Sequence, residues 1–245
     1  WAAANPALGD FLSLDEMRNL AERAARMPAF EASFRNLNLN QRVALNNAFL
    51  TADVWKLNAG EPELSAFEDY PSWWGLDLSA RLDLTALVGI CRTPDGVMHV
   101  DSRLFAPREG VQDRADRDRA PYPLWARQGL LTLTEGRSVD YGAVAVAIGE
   151  IMQRGPVQAI AFDRWRMDIL QHELARYEVH PPLVRWGQGY KDMSPALEAL
   201  EVEALAGKLR HGGHPVMTWC AANAVVIMDP AGGRKLDKSK ATGRI

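Results

Sequence analysis

The chain has 245 residues, 47% of them hydrophobic, and a formal charge of −3 at pH 7, which is typical of a globular protein with one large or two small domains. No apolar run approaches the ~18 residues that a membrane-spanning helix needs, and the first residues lack the pattern of a secretory signal. Cys91 and Cys220 lie far apart in apolar surroundings. We therefore expect buried thiols in a reducing cytosol, with no disulfide or zinc framework.

The charge is unevenly distributed along the chain. The mild overall acidity argues against a protein that coats nucleic acid, but residues 208–244 carry seven lysines and arginines against Asp229 and Asp237. This basic end is consistent with a solvated tail and equally with an edge that contacts phosphates.

Residues 1–72 predict a helical segment with few strands. Ser13 precedes apolar residues at helical spacing, among them Met17 and Leu20, so we expect Ser13 to cap a helix. Residues 61–72, which hold two prolines and four acidic residues, predict a linker into the main domain. No G-x-x-x-x-G-K-[ST] loop occurs, so this chain contains no P-loop ATPase core.

A strand-rich pattern begins at Trp73. Apolar runs at 73–78 and 84–90 predict a buried hairpin, and residues 97–105 alternate as a third antiparallel strand. Asp77 lies in the first of these strands and Asp83 at the start of the second. Because carboxylates are rarely buried without a partner, Asp77 requires a hydrogen-bond donor, a basic residue or a cation, and a simple turn-capping role remains open.

The second half of the chain alternates between helices and strands. An amphipathic helix over 141–152 ends at Gly155, and a short buried strand at 157–162 then ends on Asp163. A helix followed by a strand favours parallel insertion beside the first strand. The later predicted elements are a helix at 164–175, a strand at 182–186, a helix with Ser194 as cap and Pro195 as its first residue, and a hairpin from 225 to 233.

This order of elements is that of a ribonuclease-H-like α/β fold, with three antiparallel strands, then parallel strands, flanked by helices. In such a sheet Asp77 and Asp163 become neighbours. Two aspartates one strand apart repel each other unless a cation lies between them, and oxygen ligands suit magnesium or manganese. A pair of ions ~4 Å apart would activate a water and stabilise the leaving oxygen of a phosphodiester.

A set of short motifs carries a family resemblance. In chain order they are GLDLS at 75–79, DLTA at 83–86, FDRW at 162–165, QGY at 188–190, MSP at 193–195, HGGHPV at 211–216, WCAAN at 219–223, DKSK at 237–240 and RI at 244–245. Over residues 73–245 the chain resembles the C-terminal nuclease domain of the large terminase subunit of tailed bacteriophages and prophages. Its helical start resembles the segment that links the packaging ATPase to that nuclease.

The resemblance implies an endonuclease that cuts concatemeric viral DNA at the start and end of genome packaging, in the host bacterial cytoplasm. It implies Mg²⁺ or Mn²⁺ as cofactor, with two ions at the site. The implied partners are double-stranded DNA, the small terminase subunit, the portal protein and an ATPase domain of the same full-length protein, with no membrane.

The resemblance also implies the site residues. Asp77 and Asp163 would be the catalytic metal-binding carboxylates, and Asp83 a supplementary ligand. A third family carboxylate directly follows the pair matched by RI at 244–245, a position beyond the last residue of this sequence, so we expect an incomplete ligand set here. Asp229 and Asp237 are the remaining late candidates, in turn-like surroundings.

Several other residues have two interpretations. Lys238, Lys240 and Arg234 would contact the DNA backbone, or serve only solubility. His211 and His214 have ligand-like spacing, but oxygen-based magnesium chemistry favours a packing or hydrogen-bonding role for both. Trp165, Trp186 and Trp219 are expected in the core, with base-stacking platforms as the alternative. Gln188 is expected either near the site or in a structural turn.

Two rival functions remain open. The first is another two-metal enzyme on the same fold, such as a transposase or junction resolvase, which the motifs at 83–86 and 237–240 disfavour. The second is a non-catalytic docking domain of the packaging motor that binds the portal or small subunit.

Overall fold

The structure is a computed structural model that describes residues 1, 4–10, 12–26, 28–41, 48–79, 83–164 and 167–237. The chain divides into two compact units, residues 1–48 and 49–245. Across the described residues, no helix is both long and apolar enough to cross a bilayer.

The first unit contains two helices, α1 (Leu14–Arg26) and α2 (Pro28–Leu39). The amide of Glu16 donates a hydrogen bond to Ser13 Oγ at 3.4 Å, which confirms the predicted cap. Met17 and Phe34 are buried between the helices. The apolar period of the sequence therefore marks the face on which these helices pack.

The second unit contains the remaining elements. Its helices are α3 (Ala52–Leu57), α4 (Ala66–Asp69), α5 (Val111–Asp118), α6 (Tyr122–Arg127), α7 (Tyr141–Arg154), α8 (Met167–Arg176), α9 (Tyr190–Leu205) and α10 (Pro215–Asn223). Its strands are β1 (Ser72–Asp77), β2 (Thr85–Arg92), β3 (Met98–Pro107), β4 (Thr132–Thr134), β5 (Val157–Phe162), β6 (Leu183–Arg185), β7 (Leu209–Arg210), β8 (Val226–Met228) and β9 (Arg234–Leu236).

The main sheet is mixed, with strand order β4-β3-β2-β1-β5-β6 and with β7 also paired to β3. Strands β1, β2 and β3 are antiparallel neighbours, whereas β5 lies parallel to β1 and β6 parallel to β5. The predicted hairpin, third strand and parallel insertion are confirmed. The late hairpin is confirmed as well, because β8 and β9 form a separate two-stranded sheet.

The two faces of the main sheet carry different layers. Trp74 and Leu76 of β1 are buried on one face, where helices α7 and α8 cover them with Ile148 and Leu170. On the other face, β3 and helices α5, α6 and α10 form a second cluster around Trp125. Side chains alternate between the two faces along a strand. Gly75, which lies between Trp74 and Leu76, and Asp77, which follows Leu76, therefore belong to this second, partly open face.

Residues 61–72, which the sequence predicts as a linker, contain a helix and packed side chains. They contain α4, whose Phe67 is buried, and the thiol of the buried Cys91 donates a 3.3 Å hydrogen bond to the carbonyl of Ala66. Gly155 allows this packing, since a Cβ there would lie 2.0 Å from Phe67 O. This stretch thus belongs to the second unit, and a connection of residues 1–72 to an ATPase domain stays a prediction.

The predicted start of the helix at Ser194 is wrong. Helix α9 begins at Tyr190 after Gly189, and Pro195 lies inside it. Pro195 is the sixth residue of α9, so its missing N–H removes the hydrogen bond to the carbonyl of Lys191, and its ring crowds that carbonyl. The first turn is formed without it, because Gly189 O accepts from the amide of Met193 at 2.9 Å.

Candidate active site

The two strand-end aspartates are neighbours in the sheet. Asp77 is the last residue of β1 and Asp163 directly follows β5, while the residues before them, Leu76 and Phe162, pair in parallel register. Adjacent strands lie about 4.8 Å apart. The structure therefore brings together the two residues that the sequence nominates as metal ligands, each half-buried on the open face of the sheet.

Both aspartates line a cavity of about 580 Å³. Its floor is formed by small residues of three adjacent strands, Gly75, Ala86 and Ala161. A Cβ at Gly75 would meet only Val88 O, at 4.0 Å. The remaining lining residues come from the sheet, from the chain after β6, from α9 and from β9: Leu76, Val88, Phe162, Trp186, Gln188, Met193, Lys235 and Leu236. The short floor side chains create the space beside the carboxylates.

The donor set suits a hard divalent cation. Mg²⁺ keeps several waters and is commonly held by one or two carboxylates together with substrate phosphates, and Asp77 and Asp163 supply such a pair. In the described ranges no group of three or more histidine, cysteine, aspartate or glutamate side chains is placed to hold a metal ion.

Asp83 does not line this cavity. Its Oδ1 accepts a 3.2 Å hydrogen bond from the amide of Leu84, and its charge acts on Arg117. The pKa of Arg117 is raised chiefly by its hydrogen bond to Asp118 and in smaller part by Asp83. A supplementary metal role for Asp83 stays a prediction.

The predicted DNA-binding residues differ in where they lie and what they contact. Lys238 and Lys240 lie outside the described residues. Arg234 points to Glu201, with 2.7 Å between Nη2 and Oε2, and this hydrogen bond raises the pKa of Arg234. Its neighbour Lys235 lines the cavity instead, with Nζ 5.0 Å from the centre of the Tyr190 ring.

Lys235 lines the cavity although the sequence did not indicate it as a site residue. Strand β9 has only three residues, and two adjacent ones, Lys235 and Leu236, line the cavity, so the period of the strand does not single out Lys235.

The histidines and the late aspartate have structural roles. The His211 ring stacks on Trp55 with centroids 4.0 Å apart, and burial lowers its pKa. His214 precedes α10, and its Nδ1 accepts from the amide of Met217 at 3.5 Å. Asp229 Oδ1 accepts from the amide of Gly233 at 2.7 Å and closes the hairpin turn. The predicted packing role of His211 is confirmed.

The tryptophans divide between core and cavity. Trp219 packs edge-on against Tyr122 and Trp125 within the second cluster, as predicted. Trp186 is 45% exposed and lines the cavity, so its predicted core position is wrong. Trp165 lies outside the described residues. Gln188, expected either near the site or in a turn, also lines the cavity.

Comparison with known proteins identifies the class to which this fold and site belong. The family model described as "Terminase large subunit, endonuclease domain" matches residues 1–245, and the chain belongs to that family. The large terminase subunit of Enterobacteria phage HK97 is 51% identical over 247 residues, covering 100% of this chain and 48% of that protein. The chain thus spans about half the length of this curated relative.

Solved structures agree with the observed architecture. The crystal structure of the HK97 bacteriophage large terminase matches with a TM-score of 0.77 at 50% identity, over 100% of this chain and 50% of that one. The large terminase nuclease of thermophilic phage G20c matches with a TM-score of 0.50 at 10% identity, over 81% of this chain and 91% of that one. The latter likeness concerns the fold alone. The mixed, helix-flanked sheet is the predicted ribonuclease-H-like fold.

Proposed function

We propose that this chain is a metal-dependent DNA endonuclease that cuts concatemeric viral DNA during genome packaging, with Asp77 and Asp163 as its metal-binding carboxylates. The observation that carries the proposal is the adjacency of the two strand ends that bear these residues, where Leu76 and Phe162 pair in parallel register, at a cavity whose floor is made of small residues. Membership of the terminase endonuclease family supports the same activity.

The fold holds the carboxylates in place before any substrate arrives. β1 is hydrogen-bonded to β2 on one side and to β5 on the other, so the strand that carries Asp77 is fixed on both sides, and Asp77 itself pairs with Ala86 of β2. Functional side chains on such paired strands are positioned more accurately than those on loops. Rigid placement keeps two negative groups close together, which is unfavourable without a cation and therefore favours cation binding.

The two aspartates would divide the binding of the cofactor. Asp77, at the end of β1 between β2 and β5, and Asp163, which directly follows β5, would hold the cation or cations together. When bound, Mg²⁺ or Mn²⁺ would supply an activated water and stabilise the leaving oxygen of the phosphodiester. Lys235 would offset the negative charge of the phosphate at the opposite wall.

The substrate and partners follow from the family and remain part of the proposal. They are double-stranded DNA, the small terminase subunit, the portal protein and an ATPase domain of the same full-length protein, in the host bacterial cytoplasm. Lys238, Lys240 and Arg234 would add backbone contacts to DNA, although the ion pair of Arg234 with Glu201 must then open or be shared.

A plasmid-nicking assay tests the proposal, with the chain in its full-length protein and with Mg²⁺ or Mn²⁺ added. We expect nicking by the unaltered protein and its loss in Asp77→Asn and Asp163→Asn. Asp229→Asn is the matched control, because asparagine can also cap the hairpin turn, and it should nick normally. Nicking that survives both site substitutions refutes the assignment, and a folded protein that never nicks favours the docking-domain alternative.

A further inference from the structure

Trp186 occupies a position that packing of the core does not explain. It directly follows β6, and its backbone N–H donates a 2.9 Å hydrogen bond to Phe162 O, which fixes its place beside β5. Its side chain is nevertheless 45% exposed and lines the cavity. A large, rigid aromatic group is thus held at a concave surface with much of its area open to a ligand.

The register places Trp186 in line with the carboxylates. Arg185 pairs with Phe162, and Phe162 pairs with Leu76, so the residues that follow lie in one row across the sheet: Asp77, Asp163 and Trp186. Adjacent strands are about 4.8 Å apart, and stacked bases in one DNA strand rise about 3.4 Å per step. The Trp186 backbone therefore lies on the order of one or two nucleotides from a phosphate held at the carboxylates.

The cavity lining is chemically unlike a groove that only follows phosphates. Such a groove needs several lysines and arginines, whereas among the described lining residues only Lys235 is basic. The lining is otherwise largely apolar and includes Val88, Met193 and Leu236, while the Gln188 amide supplies a donor and an acceptor. A volume of about 580 Å³ falls within the range of about 300–1,000 Å³ that is common for sites that enclose a small flat ligand.

We propose that Trp186 is the stacking wall of a nucleobase subsite, which holds a base flanking the scissile phosphate. The proposal rests on the nuclease function above, because that function places DNA at Asp77 and Asp163. A base inside a duplex already has its faces covered by its neighbours, so it must leave the stack to pack on the indole. The subsite thus implies that the DNA is locally opened where it is cut.

The test is a binding measurement on the 245-residue chain in EDTA, in which no metal is present and no cutting occurs. Fluorescence anisotropy would compare a labelled single-stranded oligonucleotide with a duplex of the same sequence. Loss of an aromatic stacking partner weakens single-strand binding by about fivefold or more, so Trp186→Ala should show at least that loss on the single strand. The loss on the duplex should be clearly smaller, because a base of the duplex must first leave its stack before it can pack on the indole.

Two further variants control the measurement. Trp186→Phe keeps an aromatic face and should retain most of the single-strand affinity. Trp73→Ala removes another exposed tryptophan of the same sheet face, four residues before Asp77, which does not line the cavity, and it should bind as the unaltered chain does. An oligonucleotide with 2-aminopurine should show stronger fluorescence quenching on the unaltered chain than on Trp186→Ala, since stacking quenches that base.

Several results would overturn the subsite. They are unchanged single-strand affinity in Trp186→Ala, equal losses on single strand and duplex, or the same loss in Trp73→Ala. If Trp186→Ala has no effect while Asp77→Asn abolishes nicking, the subsite is wrong and the nuclease function stands. If nicking is absent but Trp186→Ala weakens single-strand binding, the nuclease function is wrong and the base-binding wall stands.

Discussion

Aspartates on the two faces of the sheet lie in different environments. On the face covered by α7, Asp101 of β3 is 5% exposed and lies 2.8 Å from Arg154 Nη2 and 3.0 Å from Arg103 Nη1. The contact with Arg154 is an ion pair without hydrogen-bond alignment. On the open face, Asp77 and Asp163 have each other as neighbours beside a cavity.

The difference separates a carboxylate that is paired with arginines from the two that we propose as metal ligands. Asp101 is neutralised by arginines, one of which, Arg154, also lies 4.7 Å from the centre of the Phe67 ring. Two carboxylates on neighbouring strands repel each other, and a bound cation would relieve that repulsion. Local arrangements that work against stability are expected at functional sites.

The largest expected effect is the loss of nicking when an aspartate on the open face of the sheet is replaced. Asp77→Asn or Asp163→Asn should reduce nicking by more than the about 10–100-fold that is typical of residues that only orient metal ligands. Each substitution keeps the size of the side chain and leaves the strand pairing in place, so the thermal midpoint without metal should change little. Nicking assays and thermal melts of the same preparations check both. A variant that melts much earlier would show that the aspartates are structural.

For the aspartate on the packed face of the sheet we expect the reverse pattern, in which substitution lowers stability. Asp101→Asn leaves the guanidinium of Arg154 without its charged partner, and loss of one member of a buried ion pair costs about 3–5 kcal/mol of the free energy of unfolding. Urea denaturation measures this loss. The double variant Asp101→Leu with Arg154→Met should recover much of the stability, because it removes both charges together. If Asp101→Asn is as stable as the unaltered chain, the ion pair does not support this face.

A pair of glycines on neighbouring strands offers a smaller contrast. A Cβ at Gly89 would lie 2.4 Å from the Trp74 ring on the packed face, so Gly89→Ala should cost about 1–3 kcal/mol of unfolding free energy through overpacking. Gly75→Ala adds a methyl group on the open face, where nothing lies closer than 4.0 Å, and should change it by less than about 0.5 kcal/mol. Equal effects in denaturation experiments would contradict the assignment of the two faces.

The smallest effect concerns pH and the packed polar residues. Burial lowers the pKa of His211 below its ordinary value of 6.5. At pH values between the lowered pKa and 6.5, the ring therefore stays neutral in the folded chain but takes up a proton in the unfolded chain. This contribution to stability is complete above pH 6.5 and is lost as the pH falls through the lowered value, by about 1.4 kcal/mol for each unit of pKa difference. Urea denaturation across acidic pH should show a weaker decline for His211→Phe. An unchanged decline would assign it to other groups, such as His214.

Much of the sheet was predictable because its signals are local. The apolar runs of β1 and β2, the alternation of β3, and the helix-then-strand order that ends on Asp163 are all properties of short stretches. Together they place Asp77 beside Asp163 without any knowledge of side-chain contacts.

The misses depend on contacts between distant residues. β6 has only three residues, too few to show whether Trp186 faces the core or the cavity. Phe67 is buried because Gly155 lets α4 approach, which no pattern near residue 67 indicates. The position of Pro195 inside α9 likewise depends on where the helix begins, and Gly189 gives only a weak start signal.

Anomalous diffraction from crystals soaked in MnCl₂ tests the central claim most directly. The account predicts a manganese peak between Asp77 and Asp163, with carboxylate oxygens of both within about 2.0–2.6 Å, as is typical of hard divalent cations. Crystals that show no metal there at saturating manganese, or a carboxylate of either residue bound to an arginine instead, would contradict it.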